Sequence, residues 1–255
     1  MTLFDDDVAA RVTIKLVVAY DGTGFHGFAP QPGVRTVSDT LSGALARVLK
    51  EPMGLTCAGR TDAGVHAWGQ VVSFDIASDV DLERLKDSIN GMLASEIVVR
   101  SIESMNPDFD ARRSAQWRRY RYTIVNRVAP DPFLDRYSWW IPRPLDMSAL
   151  RLAADPFVGA HDFASFCRKG PEGSSITRRV LESTWSDVGD GVLRYDICAA
   201  AFCWQMVRSI VGTLVEVGLG KRRSGEMLGM IRVGDRAVVG APAPQRGLCL
   251  WEVGY

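Results

Sequence analysis

A short run at residues 58–66, Ala-Gly-Arg-Thr-Asp-Ala-Gly-Val-His, carries the residue types best suited to chemistry. It places a carboxylate, Asp62, two residues after Arg60, with Gly59 and Gly64 on either side. Small residues let a backbone turn tightly and let a bulky group come close. Because a neighbouring cation favours the charged form of an acid, we expect Asp62 to be ionised at neutral pH, as a nucleophile or base must be. An isolated Arg-x-Asp triplet is more often a solvated ion pair or a turn cap, so that alternative stays open at this point.

Basic residues gather in three stretches of the chain, and the first stretch interleaves them with aromatic residues. The members of the three stretches are Arg112, Arg113, Arg118, Arg119 and Arg121, then Arg168, Lys169, Arg178 and Arg179, then Lys221, Arg222 and Arg223. Arginine beside aromatic rings such as Tyr120 is typical of phosphate contact and base stacking. The alternatives are a two-faced strand with a solvated charged side and, for Tyr120, a place in the core.

The composition restricts the class of protein. With 255 residues, of which 47% are hydrophobic, the chain is long enough for one large domain or two small ones. Equal numbers of basic and acidic residues, 30 of each, argue against a uniformly basic nucleic-acid binder but allow a basic cleft on a neutral body. No apolar run has the length of a membrane span, and the acidic residues 1–7 lack a signal-peptide core. We therefore expect a cytoplasmic protein with no membrane partner.

Metal and redox chemistry are not indicated by the sequence. The three histidines lie far apart and the five cysteines form no Cys-x-x-Cys pair, so we expect no metal site and reduced, mostly buried thiols. His66 is expected to be structural, and His161 with Asp162 to form a turn or a helix cap. The turn at residues 21–24, Asp-Gly-Thr-Gly, is similar to the phosphate loop of sugar kinases, but neither a second phosphate loop nor a Walker lysine accompanies it.

Hydrophobic periodicity predicts the elements that must position these residues. Strands are predicted at residues 11–20, 55–58, 70–76, 97–104, 117–126, 177–187, 192–200 and 248–253, and helices at residues 36–50, 81–93, 147–156, 202–218 and 224–231. The order is β-α-β-β-α-β and then β-α-β-β-α-α-β, which indicates the same unit used twice. We therefore expect an α+β fold in which two ferredoxin-like (split β-α-β) halves, residues 1–105 and 106–255, join into one broad, mixed, largely antiparallel sheet. Helices would cover one face of that sheet, and a cleft would lie on the other.

Eight segments, in one order along the chain, resemble the tRNA pseudouridine synthase A family. The segments lie at residues 20–23, 35–37, 57–70, 109–112, 118–122, 161–163, 206–208 and 247–248. The resemblance implies isomerisation of uridine to pseudouridine at positions 38 to 40, in the anticodon stem-loop of tRNA, by a homodimer without metal or organic cofactor. Two departures stand out, at Phe28-Ala29 and at Trp204-Gln205, and both spare the catalytic positions.

The resemblance also assigns roles to individual residues. It makes Asp62 the catalytic carboxylate of the N-terminal half, with Arg60 in the same motif. It makes Tyr120 the aromatic residue that stacks on the target base, and a candidate for proton transfer at C5, and it makes Arg208 the basic partner of Asp62. Substrate contacts are expected from Tyr120, Arg112, Arg119, Arg121, Arg168 and Leu248.

The chemistry explains why a carboxylate is needed. The enzyme must cut a carbon–nitrogen glycosidic bond, turn the uracil and join C5 to the sugar. Asp62 can attack C6 of the base, attack C1′ of the ribose, or remove the C2′ proton, and the sequence leaves these three routes open. The alternative function is a non-catalytic RNA-binding protein that uses the same basic cleft, although such a protein has no need of a carboxylate that would repel phosphates.

Overall fold

The computed structural model describes residues 11–168 and 176–255. The acidic segment at residues 1–7, and Lys169 of the second basic stretch, lie outside the described residues. Within the described part of the chain, no helix has the length and apolar character needed to cross a bilayer.

Ten strands form a single sheet. In chain order they are β1 (Arg11–Tyr20), β2 (Thr56–Cys57), β3 (His66–Ala77), β4 (Ile97–Met105), β5 (Trp117–Val125), β6 (Trp139–Trp140), β7 (Gly159–Asp162), β8 (Thr177–Asp187), β9 (Val192–Ala199) and β10 (Leu248–Gly254). Alternation explains β1, because Ile14, Leu16 and Val18 are fully buried while the residues between them are less so.

Five α-helices lie between the strands of the described chain. They are α1 (Val37–Leu49), α2 (Leu82–Leu93), α3 (Met147–Ala154), α4 (Met206–Gly218) and α5 (Met227–Val233). Side-chain caps begin the first three, since Thr36 accepts from the Asp39 amide, Asp81 from the Arg84 amide, and Asp146 from two amides of α3. The most apolar helix, α4, begins at Met206, four residues later than the pattern predicts, after a turn in which Gln205 is left-handed (φ 62°).

The sheet joins the two halves of the chain at its centre. Its strand order is β4-β1-β3-β10-β5-β9-β8-β7, with β2 also paired to β3 and β6 to β5. The pairings β3–β10 and β5–β6 are parallel and the others are antiparallel. The predicted α+β class with one broad, mixed, largely antiparallel sheet is confirmed. The division into domains at residues 105 and 106 stays a prediction.

One face of the sheet carries the main core. The register places Tyr20, Ala67, Leu250, Tyr120 and Ile197 side by side across five strands, on the same face. All five are buried, in one cluster with the apolar sides of α1 and α4. The helices therefore pack on the Tyr120 face.

Two local features differ from the predictions. The short strands β6 and β7 were not predicted, because two to four residues are too few to show a periodicity. The expectation of reduced thiols is wrong for one pair, since Cys167 and Cys203, 36 residues apart in sequence, form a disulfide with their Cα atoms 5.7 Å apart. Spacing along the chain cannot reveal a pair that only the tertiary fold brings together. Among the described cysteines, Cys57, Cys198 and Cys249 are free.

Candidate active site

The loop that carries Asp62 runs from the end of β2 back to the start of β3 and lies close over the sheet. Buried Gln70 on β3 clamps it, since the Gln70 amide donates to the Gly59 carbonyl at 2.6 Å and accepts from the Gly59 amide at 3.3 Å. The hydroxyls of Tyr20 and Thr61 share a buried hydrogen bond of 2.7 Å. Asp62 is therefore flanked by backbone that β1 and β3 hold in place.

Two glycines allow the neighbouring turn to approach this loop. A Cβ atom on Gly22 would lie 2.1 Å from the carbonyl oxygen of Val65, and one on Gly27 would lie 2.7 Å from that of Thr61. The Phe28 amide donates to the same Thr61 carbonyl at 3.0 Å. The backbone contact around Thr61 thus requires glycine at position 27.

We expect Gly27→Ala to lower both stability and activity. Gly27 has a φ of +91°, and the added methyl group would also push Thr61 away from its place beside Asp62. The left-handed conformation alone costs about 1–2 kcal/mol for alanine, and misplacing a reacting group costs further rate. The measurement is urea unfolding beside the rate of the reaction that the resemblance implies. Gly33→Ala is the matched control, because Gly33 also has a positive φ (+76°) but nothing lies within 4 Å of its added methyl group. Equal losses of activity in the two variants would contradict the role of the close approach.

Arg118 braces the loop from the side of β5. Its guanidinium donates to the carbonyl oxygens of Ala58 (2.9 and 3.2 Å), Arg112 (2.8 Å) and Ala200 (2.8 Å). The Arg118 guanidinium is therefore occupied by hydrogen bonds to backbone carbonyls, which connect the start of the Asp62 loop to residues of the C-terminal half.

Asp62 faces the first turn of α4 and Trp204, which lies two residues before that helix. Its Oδ2 lies 3.9 Å from the guanidinium of Arg208, and its Oδ1 accepts a hydrogen bond of 3.1 Å from the indole N–H of Trp204. The Asp62 side chain is 35% exposed, so a ligand can reach it. Partial burial raises the pKa of Asp62 above its usual range, against the opposing effects of Arg208, Trp204 and Arg168. A raised pKa was not predicted, because the sequence shows the cation but not the depth of the loop.

Arg208 is fixed by two further contacts that aim it at the carboxylate. Its Nε donates to the Ala243 carbonyl at 2.7 Å, and its NH2 donates to the amide oxygen of Gln245 at 3.4 Å. Its side chain is only 14% exposed. A cation held this firmly can counter the charge of Asp62 without moving.

Tyr120 lies on the same face of the sheet beneath the loop. Its ring meets that of Phe202 edge to face at 4.9 Å, and a Cβ atom on Gly59 would lie 3.7 Å from its hydroxyl. Burial, and then the charge of Asp62, raises the pKa of Tyr120, so the hydroxyl stays protonated at neutral pH. The structure brings Asp62, Tyr120 and Arg208 together.

Asp62 lies on a different face of the sheet from the one that the sequence pattern predicts. Because Arg208 belongs to α4, and because Tyr120 faces the core that α1 and α4 cover, Asp62 stands on the helix-bearing face of the sheet. The pattern put the cleft on the opposite face, since periodicity shows that a helix is amphipathic but not where a gap between helices lies.

The other predicted site residues are distributed over the surface and the core. Arg60 is exposed, and no ion pair joins it to Asp62 in the described chain. Arg168 stacks on the Trp204 ring, with its guanidinium carbon 4.2 Å from the ring centroid. Leu248 is buried at the start of β10, directly opposite Tyr122.

Arg119 and Arg121 point away from Asp62. They alternate with Tyr120 on β5, so their side chains leave the opposite face of the sheet. Arg119 pairs with Glu182 at 2.7 Å and Arg121 with Asp196 at 3.0 Å. Arg112 is exposed near the loop, as its carbonyl oxygen accepts from Arg118. Arg119 and Arg121, which were expected to contact substrate, therefore lie on the face opposite Asp62, because a strand divides its side chains between two faces, and their substrate contacts stay a prediction.

The turn at residues 21–24 has a structural role. The Gly22 amide donates to Nδ1 of His66 at 3.0 Å, and Asp21 caps the turn by accepting from the Thr23 amide at 2.9 Å. Burial lowers the pKa of His66, so the ring is neutral at pH 7. This arrangement speaks against a phosphate loop. Among residues 11–168 and 176–255, no group of three or more His, Cys, Asp or Glu side chains is placed to hold a metal ion.

Sequence reasoning missed three residues of this site. They are Gln70, which holds the loop, Gln245, which contacts Arg208 and lies beside Gly64, and Trp204, which contacts Asp62. A polar residue at a core position of a strand was the available signal for Gln70. Trp204 was marked only as a departure from the family pattern, and no comparable signal marked Gln245, which begins a short 3-10 helix.

The family model and several relatives that match this chain are all described as tRNA pseudouridine synthases. The family model described as tRNA pseudouridine synthase matches residues 16–112 and 153–255. The tRNA pseudouridine synthase A of Brevibacillus brevis is 42% identical over 243 residues, which cover 95% of this chain and 99% of the relative. That of Leifsonia xyli is 41% identical over 270 residues, covering 98% and 93%, and that of Bacillus subtilis is 38% identical over 244 residues, covering 95% and 98%.

Similarity to solved structures is weaker. A crystal structure of a Cbf5-Nop10-Gar1 complex overlaps 79% of this chain and 45% of that chain, with 11% identity and a TM-score of 0.33. At this level the likeness carries no argument about the site.

Proposed function

We propose, from the premise that this chain belongs to the tRNA pseudouridine synthase family, that it isomerises uridine to pseudouridine in the anticodon stem-loop of tRNA with Asp62 as its catalytic carboxylate. The observation that carries the assignment of Asp62 is its position. It is a reachable carboxylate on a clamped loop, beside an immobilised arginine and above a buried tyrosine.

The reaction is an isomerisation in which nothing is oxidised or reduced. The bond from N1 to C1′ breaks, a bond from C5 to C1′ forms, C5 loses its proton, and N1 gains one. In each of the three open routes Asp62 acts as an anion, as a nucleophile or as a base, and the Arg208 charge stabilises that anion. Tyr120 supplies an aromatic ring beneath the loop, and its part in the proton transfer at C5 stays a candidate role. Stacking on an aromatic ring offsets part of the few kcal/mol that unstacking a nucleotide costs.

The first experiment is tritium release from tRNA that carries C5-tritiated uridine. Release by the purified protein, restricted to transcripts with uridine in the anticodon stem-loop, supports the proposal. Binding of tRNA without any release would leave the alternative, a non-catalytic RNA-binding protein. A carboxylate held in a cleft that faces phosphates favours the enzyme, because a pure binder would gain nothing from the repulsion.

We expect the arginines of the Asp62 face to determine the salt dependence of tRNA binding. Exposed Arg60 and the stacked Arg168 border the site, so Arg60→Ala and Arg168→Ala should each weaken binding. Each should also make the slope of log K against log salt less negative by ~0.7–0.9 for every phosphate that the arginine had neutralised. Titrations over a range of salt concentrations measure this slope. Arg100→Ala is the control, because Arg100 stacks on Trp68, which lies on the far face of the sheet. Unchanged slopes for both Arg60 and Arg168 would place the phosphate contacts elsewhere.

Three further features, which the comparisons do not show, stay proposals. We propose a homodimer, a cytoplasmic location where tRNA is available, and a division at residues 105 and 106 in which the C-terminal half supplies Tyr120 and Arg208. Sedimentation of the purified protein tests the dimer. Substrate contacts by Arg112 and Leu248 are proposed on the basis of the family resemblance.

A further inference from the structure

Trp204 donates a side-chain hydrogen bond to Asp62 that is shorter than the Arg208 ion pair. Its indole N–H donates to Oδ1 at 3.1 Å, whereas Arg208 approaches Oδ2 at 3.9 Å. The two side chains thus contact different oxygens of the Asp62 carboxylate. A carboxylate that is held at both oxygens cannot rotate freely about its last bond, so its orientation toward a bound nucleotide is fixed.

Trp204 is itself held by the segment around Arg168. The Arg168 amide donates to the Trp204 carbonyl at 2.9 Å, and the Arg168 guanidinium stacks on the indole at 4.2 Å. The disulfide between Cys167 and Cys203 joins the residues that directly precede these two. Although its side chain is 46% exposed, Trp204 is therefore restrained by three separate links.

We propose that Trp204 is a positioning residue, which orients the Asp62 carboxylate for the isomerisation through its indole N–H and is kept in place by Arg168. This inference rests on the proposed function of Asp62. The residue touches the carboxylate rather than the reacting atoms, so its effect is on the orientation and ionisation of Asp62. The hydrogen bond also opposes the rise of the Asp62 pKa that burial causes.

The test is Trp204→Phe, which removes the donor and keeps an aromatic ring for Arg168. A hydrogen bond to a charged group corresponds to roughly 10-fold in rate. We expect the single-turnover rate at saturating tRNA to fall on the order of 10-fold, with tRNA affinity within about 2-fold of wild type. The acid limb of the rate profile should move to higher pH, because the missing hydrogen bond favoured the ionised carboxylate. Trp68→Phe is the matched control, since Trp68 is also 46% exposed but lies on the far face and stacks on Trp251.

A readout without activity separates this inference from the proposed function. In protein labelled with ¹³C at aspartate carboxyls, the Asp62 resonance is identified by its loss in Asp62→Asn. Its titration midpoint should be higher in Trp204→Phe than in wild type or Trp68→Phe. An unchanged midpoint and an unchanged rate would overturn the positioning role. Weaker tRNA binding with an unchanged rate at saturation would overturn it as well, since Trp204 would then be an RNA contact only. A shifted midpoint in a protein that releases no tritium would keep the contact and refute the isomerase.

Discussion

Asp62→Asn is expected to abolish pseudouridine formation while tRNA binding is retained. Asparagine keeps the shape of the side chain and can still accept the Trp204 hydrogen bond, but it is neither a nucleophile nor a base at neutral pH. Removing a group of this kind lowers rates by roughly 10³-fold or more. Tritium release from C5-tritiated tRNA measures the fall in rate, and a filter-binding titration measures the affinity.

The same variant should be more stable than the wild type at neutral pH. Burial raises the pKa of Asp62 in the folded protein, so the folded state disfavours the ionised carboxylate relative to the unfolded chain. This penalty is fully present above the raised pKa and disappears below the ordinary pKa of an aspartate, because both states are then protonated. The stability gain of Asp62→Asn should therefore shrink as the pH falls through that interval. Retained tritium release would remove Asp62 from the mechanism, and a stability gain independent of pH would contradict the burial.

Much of the fold was predictable because its elements are long and periodic. The alternation of β1 and the capped start of α1 at Thr36 gave bounds that the structure reproduces to within a residue. The centre of the sheet was less accessible. The pairing of β10 with β3 brings the last strand of the chain beside a strand that ends at Ala77, and no local pattern encodes so distant a partner.

The candidate site was likewise predictable only in part. The loop at residues 58–66 was recognisable from its residue types, and the placement of Arg208 beside Asp62 was expected from the resemblance. The faces of β5 were assigned less well, since Arg119 and Arg121 were grouped with Tyr120 by closeness in sequence although alternation separates them. The Trp204 contact depends on the conformation of a turn, which hydrophobic spacing does not determine.

Arg208→Met should lower the rate at neutral pH by about 10²-fold, the usual effect of removing one preorganised electrostatic interaction. Methionine fills a similar volume but carries no charge. The variant has neither the attraction to Asp62 Oδ2 nor the hydrogen bonds to Ala243 and Gln245. Since the Arg208 charge opposes the rise of the Asp62 pKa, its removal raises that pKa further. The acid limb of kcat/KM should then move to higher pH, and part of the rate should return as the pH is raised.

That partial recovery is the decisive feature, because a structural defect would not be repaired by a higher pH. Arg222→Met provides the comparison. Arg222 is also a half-buried arginine with a carboxylate partner, Glu216, and a carbonyl acceptor, Val238, but it lies away from Asp62. Its replacement should lower the free energy of unfolding without moving the acid limb. Arg208→Lys retains the positive charge but loses the forked guanidinium that donates to Ala243 and Gln245. The acid limb of its pH profile should therefore stay near that of the wild type, while its rate should lie between those of the wild type and Arg208→Met. If instead Arg208→Met weakens tRNA binding and leaves both the maximal rate and the limb unchanged, Arg208 is a phosphate contact and Asp62 acts without a fixed cation.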